Sequence, residues 1–384
     1  MANDAPPSTN VANVLTSTVT ARGAGGEADR SSSNRPLVSI VVVAHRAAGH
    51  IHDCLESLRN QDFPREKREF VLVHSAANDG THEAFQAWRD GLGKGERVVI
   101  LANPKVLLAA GWNVALAAAK GDVILRIDAH ARALPGYLAR SVELIASGRE
   151  SIVGGQAPVE EPQGWEAYLC WLVSRSLFGA GQAAYRRRTE PGFVDTLAYA
   201  AYHRRVFDRV GGYDERLGRT EDNEMHYRMK QAGFRFYFDP TIASVQMARP
   251  TIRAMLRQKF LNGYWVSLTL AVAPRCFSPR HFIPGVFVAA ILISLVFLMR
   301  GIYWPLMALG STYSAGAILA ALFDGLSLRT VKSLLLMPLL PPAFLALHLA
   351  NGFGLLWGLV CIPSKLASWR GYCIPHPTLS IERP

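Results

Sequence analysis

Residues Val38–Arg46 read Val-Ser-Ile-Val-Val-Val-Ala-His-Arg. The run Val38–Val43 is almost wholly β-branched and uncharged, the pattern of a strand buried on both faces. His45 and Arg46 come almost at once after it. Working outward, Ile51, Leu55 and Leu58 recur at helical spacing, and Phe70–Val73 and Val98–Leu101 are further short apolar runs. Leu108–Ala119 reads as an Ala-rich helix ended by Gly121, and Val123–Ile127 as a fourth strand with Asp128 directly behind it. Strands alternating with helices predict βαβ units and a mostly parallel sheet. Ligands of such sheets sit outside the carboxyl ends of the strands. Chain order alone therefore places His45, Arg46, His74, Ser75, Asp128 and His130 on one crevice.

Composition bounds the function classes. Half of the 384 residues are hydrophobic and 18% are charged, which excludes a mostly disordered chain. The formal charge of +11, from 41 basic and 30 acidic residues, points to nucleic acid, an anionic membrane surface or a phosphate-bearing substrate. No nucleic-acid-binding signature is present, so the membrane and phosphate readings lead and nucleic acid is not expected as a partner. The five cysteines are widely spaced and form no zinc or redox motif, which predicts reduced, structural thiols. Residues 1–35 are rich in Ala, Ser, Thr, Asn and Gly and read as a disordered tail without a signal peptide, which leaves the segment from Pro36 onward in the cytosol. Arg186-Arg187-Arg188 reads as a basic loop.

The last third differs in kind. Phe282–Met299 and Tyr303–Phe323 are each close to the roughly 20 residues that span a bilayer. Leu334–Ile362 is a third apolar run, interrupted by Pro341, Pro342 and Asn351-Gly352. It fits one tilted span, two short ones, or a span plus an interfacial helix. Residues 276–384 are thus expected to form two to four transmembrane helices and a short cytosolic tail. Arg329, Lys332, Lys365 and Arg370 flank the runs, as the positive-inside rule asks of cytosolic connections.

Three clusters carry chemistry. Asp128 and His130 lie two residues apart, and on an extended segment such residues share a side. One divalent cation, Mg²⁺ or Mn²⁺, could take an oxygen and a nitrogen ligand there and neutralise a diphosphate leaving group. A turn-forming Asp and a surface His explain the same residues. Thr220-Glu221-Asp222 reads as an N-cap and first turn, with Gly233 stopping the helix after Gln231. Asp222 is then either a partner of the helix dipole or a general base for a sugar hydroxyl. Gln258 and Trp265 offer an amide and a stacking face to a sugar, or an aromatic anchor at a membrane surface.

The stretches VSIVVVAHR (38–46), EFVLVHSAANDGT (69–81), GWNVALAAAKGDVILRIDAHA (111–131), VFDRVGGYDERL (206–217), TEDNEMHYRMKQAGFRF (220–236) and QKFLNGYW (258–265) together resemble family 2 glycosyltransferases of the GT-A fold. Within that family the chain is most similar to the succinoglycan-type, ExoA-like glucosyltransferase branch, whose membrane tail also fits. The resemblance implies a Rossmann-like GT-A domain over residues 36–275. It implies donor contacts at Ala44, His45, His74, Asn113 and Asp128, and a metal on Asp128 and His130. Asp222 would be the base of an inverting transfer, with Glu221, Gln258 and Trp265 at the acceptor. The chain departs from the family pattern at Val43–Ala47, which holds no acid, and at His74-Ser75, where the family carries an Asp that contacts the nucleobase.

The resulting expectation is a multi-pass protein of the cytoplasmic membrane with its catalytic domain in the cytosol. It would transfer a hexose from an NDP-sugar, UDP-glucose-like, to a polyprenyl-diphosphate-linked glycan of exopolysaccharide or surface-glycan synthesis. The departures motivate an alternative of another class, a non-catalytic GT-A-like scaffold. A processive synthase fits less well, because no Arg precedes Trp265 and the segment is stretched relative to Gln-x-x-Arg-Trp.

Overall fold

A computed structural model of the chain describes residues 37–75, 78–93, 95–179 and 187–375. The tail expected over residues 1–35, and Arg186 of the basic run, lie outside the described residues.

The decisive stretch is strand β1 (Val38–Ala44), buried along its whole length. It lies between β2 (Arg68–Ser75) and β4 (Val123–Asp128), parallel to both. Strand β3 (Arg97–Asn103) extends β2, again in parallel. Alternate residues leave β1 on opposite faces, as the two-residue period demands. Ile40 and Val42 join a core with Leu55 and Leu58 of α1 (Ile51–Arg59), Phe85 and Trp88 of α2 (Thr81–Asp90), and Tyr137 and Leu138 of α4 (Tyr137–Ala146). Val41 and Val43 join the opposite core, with Trp112 and Leu116 of α3 (Leu108–Ala118) and Met225 and Met229 of α7 (Glu221–Gln231). Each large side chain buried this way contributes about 1.5–3 kcal/mol, which is why an uncharged β-branched strand goes to the centre.

Beyond β4 the sheet turns mixed. The full order is β3-β2-β1-β4-β8-β6-β9-β5, with β7 paired to β9. Here β5 is Ala131–Ala133, β6 Ile152–Gln156, β7 Gly192–Val194, β8 Ala200–His203 and β9 Phe236–Gln246. Strand β8 runs antiparallel to β4, so the parallel character read from the sequence belongs to the β3-β2-β1-β4 half. Helix α5 (Trp165–Arg175) comes after β6, and α6 (Arg205–Val210) precedes α7.

Helix α8 (Ile252–Leu270) leads to three helices long and apolar enough to cross a membrane. These are Pro279–Met299, which contains α9 (Ile283–Met299), then α10 (Trp304–Leu328), and Val331–Ser368, which contains the short α11 (Val331–Leu336) and α12 (Leu340–Ser368). A third core, containing Tyr168, Leu172, Met255, Ala321, Phe344 and Leu347, joins α5, α8, α10 and α12.

Two local expectations are corrected. Helix α12 runs unbroken from Leu340 to Ser368 through Pro341, Pro342 and Asn351-Gly352. The prolines occupy the first turn, where a missing N–H leaves no helical bond unmade. The glycines of α12 serve close packing: a Cβ on Gly354 would overlap the Phe260 carbonyl of α8. Thr220 does sit just ahead of α7, but in a left-handed conformation (φ 65°), and its side chain caps nothing. Its hydroxyl instead meets Thr269 Oγ1 of α8 at 2.7 Å.

Candidate functional site

The parallel register aligns three strand ends. Val43 pairs with Val73 on one side and Asp128 on the other, and Ala44 pairs with His74. The residues just beyond β1, β2 and β4 therefore share one edge of the sheet.

Two loops on that edge are stitched together by Asp79. Its carboxylate accepts hydrogen bonds from the Arg46 amide at 2.8 Å, the Thr81 amide at 3.0 Å and Ser75 Oγ at 3.2 Å. His45 Nδ1 lies 2.6 Å from Ser75 Oγ and 3.4 Å from Asp79. Burial alone would raise the Asp79 carboxyl, but hydrogen bonds from Thr81, Arg46 and Ser75 outweigh it and bring its pKa down to about 2. Arg46 holds a left-handed backbone (φ 52°), unusual for a side chain of its size. Next to it, the His74 ring packs on His82 at 4.4 Å, and its Nδ1–H donates to the Ser75 carbonyl at 2.9 Å.

The centre of the site is a cation to which the linear sequence assigns no role. Arg126 is the only charged residue between Val123 and Ile127 of β4. It is buried, with its guanidinium 4.4 Å from the Trp112 ring and Nη1 donating to Tyr213 Oη at 3.2 Å. Nη2 lies 3.5 Å from Glu221 and 3.9 Å from Asp128. One guanidinium thus reaches both the end of β4 and the start of α7, bringing together two carboxylates 93 positions apart in the chain. The signal that would have found it is a charge in the middle of an otherwise apolar strand, since a buried charge requires a partner.

The two acids of α7 have different surroundings. Glu221 is buried, and burial raises its pKa to about 7, helped by the charges of Asp222 and Asp128 and opposed by Arg126. Asp222 is half-buried, and its Oδ1 accepts from the Asn223 amide at 2.8 Å and from Asn223 Nδ2 at 2.9 Å. One turn on, His226 bonds Thr196 Oγ1 at 2.8 Å and Tyr202 Oη at 3.3 Å. Burial lowers its pKa to about 4, against the charge of Asp222 and together with Arg126 and Lys230.

Asp128 ends β4, and Ala129-His130 form a turn before β5. The alternation of an extended strand therefore does not relate Asp128 to His130; the turn does. Asp128 Oδ1 is buried without a hydrogen-bond partner. A carboxylate oxygen left so is a fitting ligand for a cation. The His130 pKa is lowered by burial and by Arg249 and His50, against the pull of Asp128, which keeps the imidazole neutral and able to ligate. Among the described residues no three His, Cys, Asp or Glu side chains converge.

The other expected residues fall in two places. Asn113 accepts from the Tyr213 amide at 2.7 Å and donates to the Tyr213 carbonyl and Glu215, both at 2.9 Å, holding the loop ahead of α7. Gln258 and Trp265 lie on α8. Gln258 Oε1 accepts from Arg249 at 3.2 Å. The Trp265 ring packs so closely on Gly218 that a Cβ there would collide with it. With the Thr269–Thr220 bond, and Arg219 donating to Asn262 at 3.2 Å, α8 braces the loop that aims Glu221 and Asp222.

Residues 39–211 match the family model Glycosyl transferase family 2. The chain is 28% identical over 256 residues to the succinoglycan biosynthesis protein ExoA of Rhizobium meliloti (strain 1021), covering 62% of this chain and 76% of that one. It is 24% identical over 238 residues to the glycosyltransferase AglE of Haloferax volcanii, covering 60% and 73%. A solved mannosyltransferase from Pyrobaculum calidifontis, in complex with GDP-Man and Mn²⁺, superposes with a TM-score of 0.50 at 22% identity, covering 83% of this chain and 88% of that one. At that identity the likeness speaks for the fold.

Proposed function

We propose, on the premise that this chain carries a family 2 glycosyltransferase domain of the GT-A fold, that it is a membrane-bound, inverting hexosyltransferase. The donor is an NDP-sugar, UDP-glucose-like. The acceptor is a hydroxyl of a polyprenyl-diphosphate-linked glycan presented at the cytosolic face of the membrane, in exopolysaccharide or surface-glycan synthesis. The observation that carries this reading is the single guanidinium of Arg126, within 4 Å of Asp128 on the donor side and Glu221 on the acceptor side.

Each residue has its own part in the transfer. His45, His74 and the loop ordered by Asp79 cradle the donor nucleotide beyond β1 and β2, with Ala44 closing β1 beneath them. Asp222 removes the proton from the acceptor hydroxyl as that oxygen attacks the anomeric carbon. The bond to the diphosphate oxygen breaks with its electron pair leaving on the nucleotide, and attack from the opposite face inverts the centre. Arg126 keeps Glu221 from repelling the base. A divalent cation, Mn²⁺ or Mg²⁺, held by Asp128 and His130, would offset the charge of the leaving diphosphate. Trp265, packed on Gly218, holds the loop against which the acceptor rests, and Gln258, bonded to Arg249, offers its amide to the acceptor from the same helix.

The test is transfer by membranes carrying the wild type or Asp222→Asn. Loss of product in the variant, with donor binding retained in calorimetry, supports the assignment. Equal product from both removes Asp222 as the base.

A further inference from the structure

Helix α12 is long enough to cross a bilayer, yet its start, its middle and the segment beyond its end all touch the glycosyltransferase body. Near its start, Leu340, Phe344 and Leu347 are buried with Tyr168, Leu169 and Leu172 of α5. In its middle, Gly354 and Gly358 lie against the backbone of Phe260 and Tyr264 on α8, and Ser267 Oγ of α8 donates to the Leu355 carbonyl at 2.7 Å. Beyond its end, Tyr372 Oη accepts from the Glu215 amide at 2.7 Å, and the Gly212 amide donates to the Pro375 carbonyl at 2.7 Å. Arg216 lies 4.9 Å from the Tyr372 ring. Gly212–Arg216 is the loop that Asn113 holds ahead of α7.

Length makes this decisive. At 1.5 Å per residue, the 29 residues of α12 extend about 44 Å, against a hydrocarbon core of about 30 Å. Were α12 to cross, one of its ends would lie a full membrane thickness from the domain. Helices α9 and α10 touch the rest of the chain at one end only of their hairpin. They are joined by a short connection at Arg300–Tyr303, and Phe287 stacks on Tyr313 at 4.7 Å. The far end of α9, Leu295–Met299, is exposed throughout, and Tyr303 and Trp304 at the tip are 63% and 67% exposed. At its base the hairpin packs on the body through Ala317 and Ala321 and on α12 where Pro284 meets Gly352; its far end stands clear and finishes in aromatic residues suited to a membrane interface.

We infer that α9 and α10 are the two crossings among the described segments, and that α12 lies along the near membrane surface, between the catalytic body and the lipid of that leaflet. The outward face of α12 fits this occupant. Phe353, Trp357 and Val360 are exposed at helical spacing, and no charged residue occurs between Lys332 and Lys365. A polar opposite face, which a free interfacial helix would need, is unnecessary here because that side is covered by α5 and α8. Two crossings return the chain to the side of the domain, where Tyr372 and Pro375 are bound. The inference rests on the membrane reading proposed for this chain and adds the arrangement of its segments.

The test uses the full chain in sealed membrane vesicles of either orientation and a membrane-impermeant maleimide. Cys54 and Cys170 are buried and stay in place, while Cys276 and Cys361 are replaced by Ala, leaving exposed Cys373 as a native probe. Asp90→Cys reports the side of the catalytic domain, Val331→Cys the start of the α11–α12 segment, and Ile302→Cys the hairpin tip, the last three in a Cys373→Ala background. Expected is labelling of positions 90, 331 and 373 from one face and of 302 from the other face alone. Arg300→Cys repeats the tip measurement if Ile302→Cys fails to accumulate. Labelling of 373 from the same face as 302 overturns the inference and leaves the membrane reading standing. Release of the chain by an alkaline carbonate wash overturns both.

Discussion

Glu221 and His226 lie five residues apart on α7, both buried, and their proton affinities are displaced in opposite senses. The Glu221 pKa rises from 4.5 to about 7, so holding it ionised in the fold costs about 3 kcal/mol. Its contribution to stability is whole below pH 4.5 and is lost as pH rises through 7. The His226 pKa falls from 6.5 to about 4, an equal and opposite displacement of about 3 kcal/mol. Its contribution is whole above pH 6.5 and is lost as pH falls through 4. Between pH 4.5 and 6.5 the two slopes cancel, and the wild type is expected to unfold at nearly constant temperature. Glu221→Gln removes one slope. The variant should gain stability steeply as pH rises from 4.5 to 6.5, because only the His226 slope remains. His226→Asn should show the reverse slope. The assay is the midpoint of thermal unfolding of purified protein in detergent, tracked by tryptophan fluorescence in half-unit pH steps. A Glu221→Gln profile parallel to that of the wild type would refute the reasoning, since the buried carboxyl would then not be the group that titrates.

The same geometry sets three further outcomes. Gly354→Val places a side chain on the Phe260 carbonyl and should separate α12 from α8, costing about 1–3 kcal/mol or more; a lowered unfolding midpoint and faster proteolysis within residues 252–270 would show it. Tyr372→Phe removes the acceptor of the Glu215 amide and should cost about 1 kcal/mol, read as a small drop in midpoint with increased hydrogen exchange at 212–216. Asp79→Asn should weaken donor affinity, measured by calorimetry, because its three hydrogen bonds set the shape of the β1 and β2 loops.

The alternation of the first four strands with helices, the crevice edge and the acidic start of α7 are legible in the chain because each is written in neighbouring residues. A β-branched run declares a buried strand, and the polar residue that ends it declares which end faces solvent. Parallel register is then a consequence of βαβ connection, which is why chain order alone sets His45, His74 and Asp128 together. Spacing also picks out Asp128 and His130, though the geometry that relates them is a turn and not an extended strand.

What the amino-acid order determined by itself, then, was the alternation of strand and helix in the first half, the location of the acids and three apolar runs in the last third. Only the tertiary structure decided that Arg126 bridges Asp128 to Glu221, that Asn113 grips the loop 100 residues further on, and that α12 runs along the body from α5 to the Glu215 loop. Each of those depends on contacts between distant segments, and a local pattern carries no record of its distant partners. Hydropathy reports how much surface must leave water. It is silent on whether that surface is covered by lipid or by protein, because both are equally apolar to a helix that meets them.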